Sequence, residues 1–165
     1  MKGEGMIRTE NWCGYDIRFI EQNGEWWAIL KDICDALELR TAKVAERLDQ
    51  DMMTKVQVGV EVPSKDVDSQ TYWMTAVNEL GIYEALFSSR RPEARKFRRW
   101  STTVMKRLRQ QVGLQGYEVM RMTEPEIQED IDHILDSLFW DDEKKCLMQS
   151  VTVRGGDVEQ IPFEY

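Results

Sequence analysis

The stretch NELGIYEALFSSRRPEARKFRRW, residues 78–100, decides how this chain is read. It runs from an Asn-Glu-Leu-Gly helix start into a densely basic second helix. Between Ser88 and Arg109 stand nine Lys or Arg and one acid, Glu93, a local charge of +8 in a chain whose net charge is −8. A segment that opposes its own chain's charge this strongly is a candidate anion-binding surface. The basic helix is expected to open at Pro92, because proline is tolerated in a first turn, and Glu93 suits the positive helix end.

At 100° per residue, Phe97, Ser101, Val104 and Leu108 share a stripe with Ala94 and Trp100 at its margins, and this stripe is expected to face the core. Opposite, Arg95, Arg99, Thr102, Lys106 and Arg109 fall within an arc of about 80°, with Arg98 beside it and Arg90 and Arg91 preceding it. Arg and Lys supply the charge-assisted donors that phosphate contacts use, so Arg90, Arg91, Arg95, Arg98, Arg99, Lys106 and Arg109 are the candidate DNA-binding residues. The plain alternative is a solvated face of an amphipathic helix. One sign dominates here, whereas solvated faces normally intersperse both.

Upstream, Asp16 to Ile20 and Glu25 to Leu30 flank Asn23-Gly24, the strongest short-range hairpin signal. KDICDALEL then brings Ile33, Ala36 and Leu37 to one helical face, and Thr41 is placed to cap a further turn through Val44 and Leu48. Val56, Val58, Val60 and Val62 alternate with polar or small residues as a half-buried strand. After a turn region at Pro63 to Ser69, Tyr72, Trp73 and Met74 begin its partner. The fold class is therefore α+β: a small domain of two β-hairpins with short helices and a long basic helix, followed by an acidic C-terminal helical segment.

Charge separates these parts. Residues 1–113 hold 18 basic and 17 acidic side chains, net +1, and residues 114–165 hold 4 and 13, net −9. The Gly-containing VGLQGYE lies at the change, which places a boundary near Gly113 to Gly116. Beyond it, Thr123-Glu124-Pro125-Glu126 fits a capping box, and Ile127, Ile131, Ile134 and Leu138 form an apolar stripe under an acidic outer face. That stripe has to be buried against the first domain, another copy or a protein partner. Phe139 and Trp140 extend it, Gly155-Gly156 is expected to end the ordered pattern, and the final DVEQIPFEY to be frayed.

Several function classes lack support. Three widely spaced cysteines, Cys13, Cys34 and Cys146, fit neither a disulfide framework nor a paired-ligand metal site, and Cys34 reads as core. The single histidine, His133, lies off the apolar stripe and is expected to face water. There is no Cys-His or His-carboxylate cluster and no Gly-rich phosphate loop, so neither catalytic nor metal-binding residues nor cofactors are assigned, and the chain reads as a non-enzyme. No apolar run approaches the roughly 18 residues of a membrane span, and the amino terminus lacks a signal-peptide core, which implies a soluble protein of the host-cell cytoplasm.

The residue order resembles the N-terminal domain of the BRO family, found in baculovirus repeated-ORF proteins and phage antirepressors. The counterparts are Trp27 with Asp32-Ile33 and Ala36-Leu37, then Asn78-Glu79, Gly81 and Tyr83, then Ser89-Arg90, Glu93-Ala94, Phe97 and Trp100. The resemblance covers roughly residues 15–113, so residues 1–113 are taken as the Bro-N-like domain and 114–165 as an acidic helical extension. Two departures stand out: Glu38 replaces a glycine common after the first helix, and no proline follows Trp100. The resemblance implies DNA binding, antirepression in phages and no catalytic residues. From their side-chain types, Asn78 is expected to cap, Gly81 to allow close packing, and Tyr83, Phe97 and Trp100 to be core.

Two partner classes follow: duplex DNA at the basic helix, or a basic protein such as a repressor or other nucleic-acid-binding protein held by the acidic Glu126, Glu129, Asp130 and Asp132. A homo-oligomer is a further option.

Overall fold

The computed structural model describes residues 6–60 and 70–163. The chain divides between Arg98 and Arg99 into two compact units.

The first unit is α+β, built on one antiparallel sheet of five strands in the order β1-β2-β3-β5-β4. Strands β2 (Tyr15–Gln22) and β3 (Glu25–Ile29) join through Asn23-Gly24. Both turn residues have positive φ, 55° and 80°, the backbone a two-residue primed turn requires. The same device recurs one turn earlier. Cys13 and Gly14, at φ 51° and 85°, join β2 to β1 (Ile7–Trp12), a strand that the sequence pattern did not announce. Its side chains alternate too little in polarity, because nearly all of them are exposed.

Strands β4 (Met53–Val60) and β5 (Gln70–Val77) form the second hairpin and pair residue for residue from Met53↔Val77 to Val60↔Gln70. The expected Val62 and the Pro63 to Ser69 turn lie outside the described residues. The two hairpins are not separate. Ala28↔Val77 and Ile29↔Ala76 join them into one sheet.

Side chains of opposite parity in the strands build two cores, as the period of two demands. Ile20, Ile29, Val56, Val58 and Ala76 cluster on one face of the sheet, with Trp27 and Met74 against them. Ile17, Ala28 and Val77 on the other face meet the helices. These are α1 (Leu30–Leu37), α2 (Thr41–Ala45) and α3 (Glu79–Ser88), followed by α4 (Pro92–Gln111), whose Ala94 joins the same cluster. Cys34 sits in it as a free thiol, and burial pushes its pKa up. Thr41 is the first helical residue of α2. Arg40 occupies the cap position, so the Thr41 cap does not form.

In the second unit, α5 (Pro125–Asp136) buries Ile127 and Ile131 with Leu114, against Leu108 and Val112 at the end of α4 and Met122. Two residues of the stripe read from the sequence, Ile127 and Ile131, are thus buried within their own unit, and Ile134 and Leu138 are half-buried. The capping box expected at Thr123 is absent: Glu124 is the cap residue, with no side-chain hydrogen bond, and the Thr123 hydroxyl donates to Met120 O. A capping box forms instead between Gln115 and Glu118, opening the 3-10 helix Gly116–Thr123.

The tail after α5 is sheet rather than helix or frayed chain. Strands β6 (Leu138–Asp141), β7 (Cys146–Thr152) and β8 (Val158–Pro162) make an antiparallel meander around the fully buried Met148. Gly155 and Gly156, at φ 106° and 86°, do not end the order but turn the chain from β7 into β8.

Candidate nucleic-acid interface

The basic helix is held at its start by a chain of backbone contacts that begins at Asn78. The Asn78 side chain accepts from the Gly81 N–H at 3.1 Å and caps α3, while its amide donates to Asp51 O at 3.3 Å. Gly81 is required by packing: a Cβ there would stand 2.9 Å from Val77 Cβ. Both signature residues thus seat α3 on the end of β5.

The junction between α3 and α4 closes the C-terminus of α1. A helix leaves its last four carbonyls without intrahelical partners, and here each one is satisfied. Leu39 N–H donates to Cys34 O at 2.8 Å and Glu38 N–H to Asp35 O at 3.4 Å. Arg91 Nη1 donates to Ala36 O at 2.8 Å, and the fully buried Ser89 hydroxyl donates to Leu37 O at 2.9 Å. Ser89 Oγ in turn accepts from the Arg91 N–H at 3.2 Å. Glu38 occupies the left-handed position, φ 57° and ψ 41°, which ordinarily favours glycine. At the opposite end of α1, Asp32 receives Arg18 Nε and Nη2, both at 2.8 Å, and the Arg18 N–H at 3.1 Å. That bidentate pair ties β2 to α1.

The candidate cations therefore separate into two sets. Arg91 lies over the rings of Trp12 and Tyr15 at 5.4 and 5.5 Å while it caps α1. Arg98 Nη1 donates to Phe87 O at 2.7 Å, near the end of α3. Arg109 is buried, and its guanidinium donates to Leu114 O. These three are engaged with the protein's own carbonyls, and Arg109 does not belong to an exposed ridge as its helical angle suggested. Arg90, Arg95, Arg99 and Lys106 are exposed. Lys96, which the arc drawn from the sequence left out, is exposed beside them. The exposed side of α4 is thus turned away from Arg98 and Arg109, towards Lys96 and Trp100. The helix runs unbroken from Pro92 to Gln111. The Glu93 carboxyl is held below its ordinary range, first by its own backbone N–H and also by Arg91.

The aromatic framework is looser than expected. Phe97 is half-buried, with its ring stacked on Tyr83 at 5.9 Å and on Phe87 at 6.0 Å. Tyr83 stands at the surface and its hydroxyl donates to the Glu79 carboxylate, which raises the phenol's pKa. Trp100 is not core: it is 62% exposed. At the margin of the stripe, a one-residue rotation separates inside from outside.

In the second unit, Glu126, Glu129, Asp130 and Asp132 are exposed on α5, as is His133. The tail's ion pairs are local, joining Arg121 to Glu118 and Glu124, Lys144 to Asp141, and Lys145 to Asp142. Among the described residues no three His, Cys, Asp or Glu are grouped to hold a metal ion. No helix there is long and apolar enough to cross a membrane.

The fold defines the class: a small α+β domain whose chain leads into a long basic helix. Residues 16–107 match the model of the BRO family N-terminal domain, and the chain belongs to that family. It is a phage-type, DNA-binding and antirepressor-like family of regulatory domains, not a family of enzymes. An uncharacterized protein of Haemophilus influenzae is 30% identical over 103 residues, which cover 61% of this chain and 48% of that protein. The chain thus spans about half the length of this curated relative. No solved structure matches it.

Proposed function

We propose that this protein is a phage- or prophage-type regulator that binds duplex DNA through the exposed side of α4. Arg90, Arg95, Lys96, Arg99 and Lys106 contact the phosphate backbone. The observation that carries the reading is the separation of the cations: Arg91, Arg98 and Arg109 donate to backbone carbonyls, while Arg90, Arg95, Lys96, Arg99 and Lys106 are exposed. Arg and Lys supply charge-assisted donors to phosphate oxygens, and phosphate contacts carry no direct sequence information, so binding is weakly sequence-selective. Arg91, Arg98 and Arg109 hold the surface in place. The test is fluorescence polarisation of a labelled duplex across a salt series. Four or five phosphate contacts give a slope of log affinity against log salt of roughly −4. Absence of any complex at about 50 mM salt overturns the proposal.

A second reading has its own observation. Glu126, Glu129, Asp130 and Asp132 are exposed on a helix whose Ile127 and Ile131 are already buried, which suits a basic protein partner, such as a repressor, approached through charge. Under this reading, changing the four acids to their amides in the full chain abolishes capture of that partner and leaves DNA affinity at the parent value.

A further inference from the structure

Strand β1 ends the five-stranded sheet, and no described strand pairs with its outer edge. Native sheet edges are usually blunted by proline, a bulge or charged side chains. β1, IRTENW, has neither proline nor bulge and pairs one-to-one with β2 from Ile7↔Ile20 to Trp12↔Tyr15, and its two charges, Arg8 and Glu10, are of opposite sign. We propose that this edge binds the same edge of a second copy of the chain, antiparallel, with the two-fold axis at Thr9.

The hydrogen-bonding parity limits the possible registers. In an antiparallel ladder, alternate residues direct both backbone groups to the partner strand. Met6 O accepts from the Glu21 N–H at 3.0 Å, so the even-numbered residues of β1 face β2. Ile7, Thr9 and Asn11 turn their N–H and C=O groups outward, and only registers that pair odd residues with odd residues satisfy them.

Charge then selects among those registers. A two-fold axis at residue 8 sets Arg8 opposite Arg8 of the second copy, and an axis at residue 10 sets Glu10 opposite Glu10. Like charges directly opposite are destabilising. The axis at Thr9 pairs Ile7 with Asn11 twice and Thr9 with Thr9, which uses all six outward backbone groups of each strand. It also sets Arg8 opposite Glu10 twice, at positions where the side chains of the two strands approach most closely. Within each chain Arg8 and Glu10 already form an ion pair, at 67% and 53% exposure, so the two copies close a four-charge ring. At its ends the same register brings the 64% exposed Met6 against Trp12 of the other copy. The registers shifted by one residue fail at the charges, and an axis at Ile7 or Asn11 does not pair Ile7, Thr9 and Asn11 among themselves.

Sedimentation of the full chain tests this. The parent is expected to dimerise reversibly. Arg8→Glu alone and Glu10→Arg alone each set like charges across the axis and weaken the dimer at least about tenfold. Mixing the two single variants restores association as a heterodimer, and the double variant Arg8→Glu/Glu10→Arg restores the homodimer. Thr9→Pro removes an outward N–H without touching the ladder to β2, and leaves a folded monomer. If Thr9→Pro does not fold, the charge variants decide alone. A monomeric parent, single variants as dimeric as the parent, or a mixture that fails to associate overturns the proposal.

Discussion

Arg90 and Arg91 are neighbours in sequence and do opposite things. Arg91 lies on Trp12 and Tyr15 and donates to the end of α1, whereas Arg90 is exposed on the outside of the same junction. The pattern repeats along α4, where Arg98 and Arg109 donate to the carbonyls of Phe87 and Leu114 while Arg95, Arg99 and Lys106 are exposed. A basic run is therefore two structures superimposed. One set of cations donates to the chain's own carbonyls, Arg91 and Arg98 at helix ends and Arg109 in the loop after α4, where a carbonyl without a partner costs free energy, and the other is left to meet solvent or an anion. Counting charge does not separate them.

The sharpest way to break this comparison is to reverse the exposed set. Arg95→Glu with Arg99→Glu and Lys106→Glu is expected to weaken duplex binding by about a hundredfold or more, with a melting temperature near that of the parent. Equal losses of affinity and stability would place these cations in the framework.

The framework is probed at Ser89. Ser89→Ala leaves Leu37 O without its donor in a fully buried site and is expected to cost about 2 kcal/mol of stability by denaturant unfolding. An unchanged midpoint would mean that the junction does not close α1.

Glu38→Gly tests the other half of the same closure, with the opposite sign. A left-handed residue with a Cβ is strained by roughly 1 kcal/mol, so glycine is expected to stabilise the chain by about that amount. A loss of stability would show that the Glu38 side chain contributes more than its backbone strain removes.

Trp100→Ala gives the smallest expected change. An exposed side chain is expected to cost about 1 kcal/mol or less, against the 3–5 kcal/mol of a core tryptophan. The larger value would return Trp100 to the core.

Local chemistry was legible. Asn23-Gly24 announced its turn, Asn78 its cap, and Val56 and Val58 their buried face, because each depends on neighbours within a few residues. The β1 strand was not, since an exposed edge strand needs no apolar alternation and Cys13-Gly14 is a poor turn signal. The meander after α5 was missed for a related reason. Acids such as Asp141, Asp142 and Glu143 mask short strands whose shared interior is essentially one residue, Met148.

The sequence by itself determined the α+β class, the Asn78 cap, the basic segment and its family, since these rest on residue type and spacing along the chain. Tertiary structure alone decided which arginines meet backbone carbonyls and which are exposed. That choice depends on where the last carbonyls of α1 and α3, and Leu114 O, come to rest. Such long-range matches, like Arg91 to Ala36 and Ser89 to Leu37, leave no periodic trace in the chain, because the groups that meet are brought together only when the helices pack.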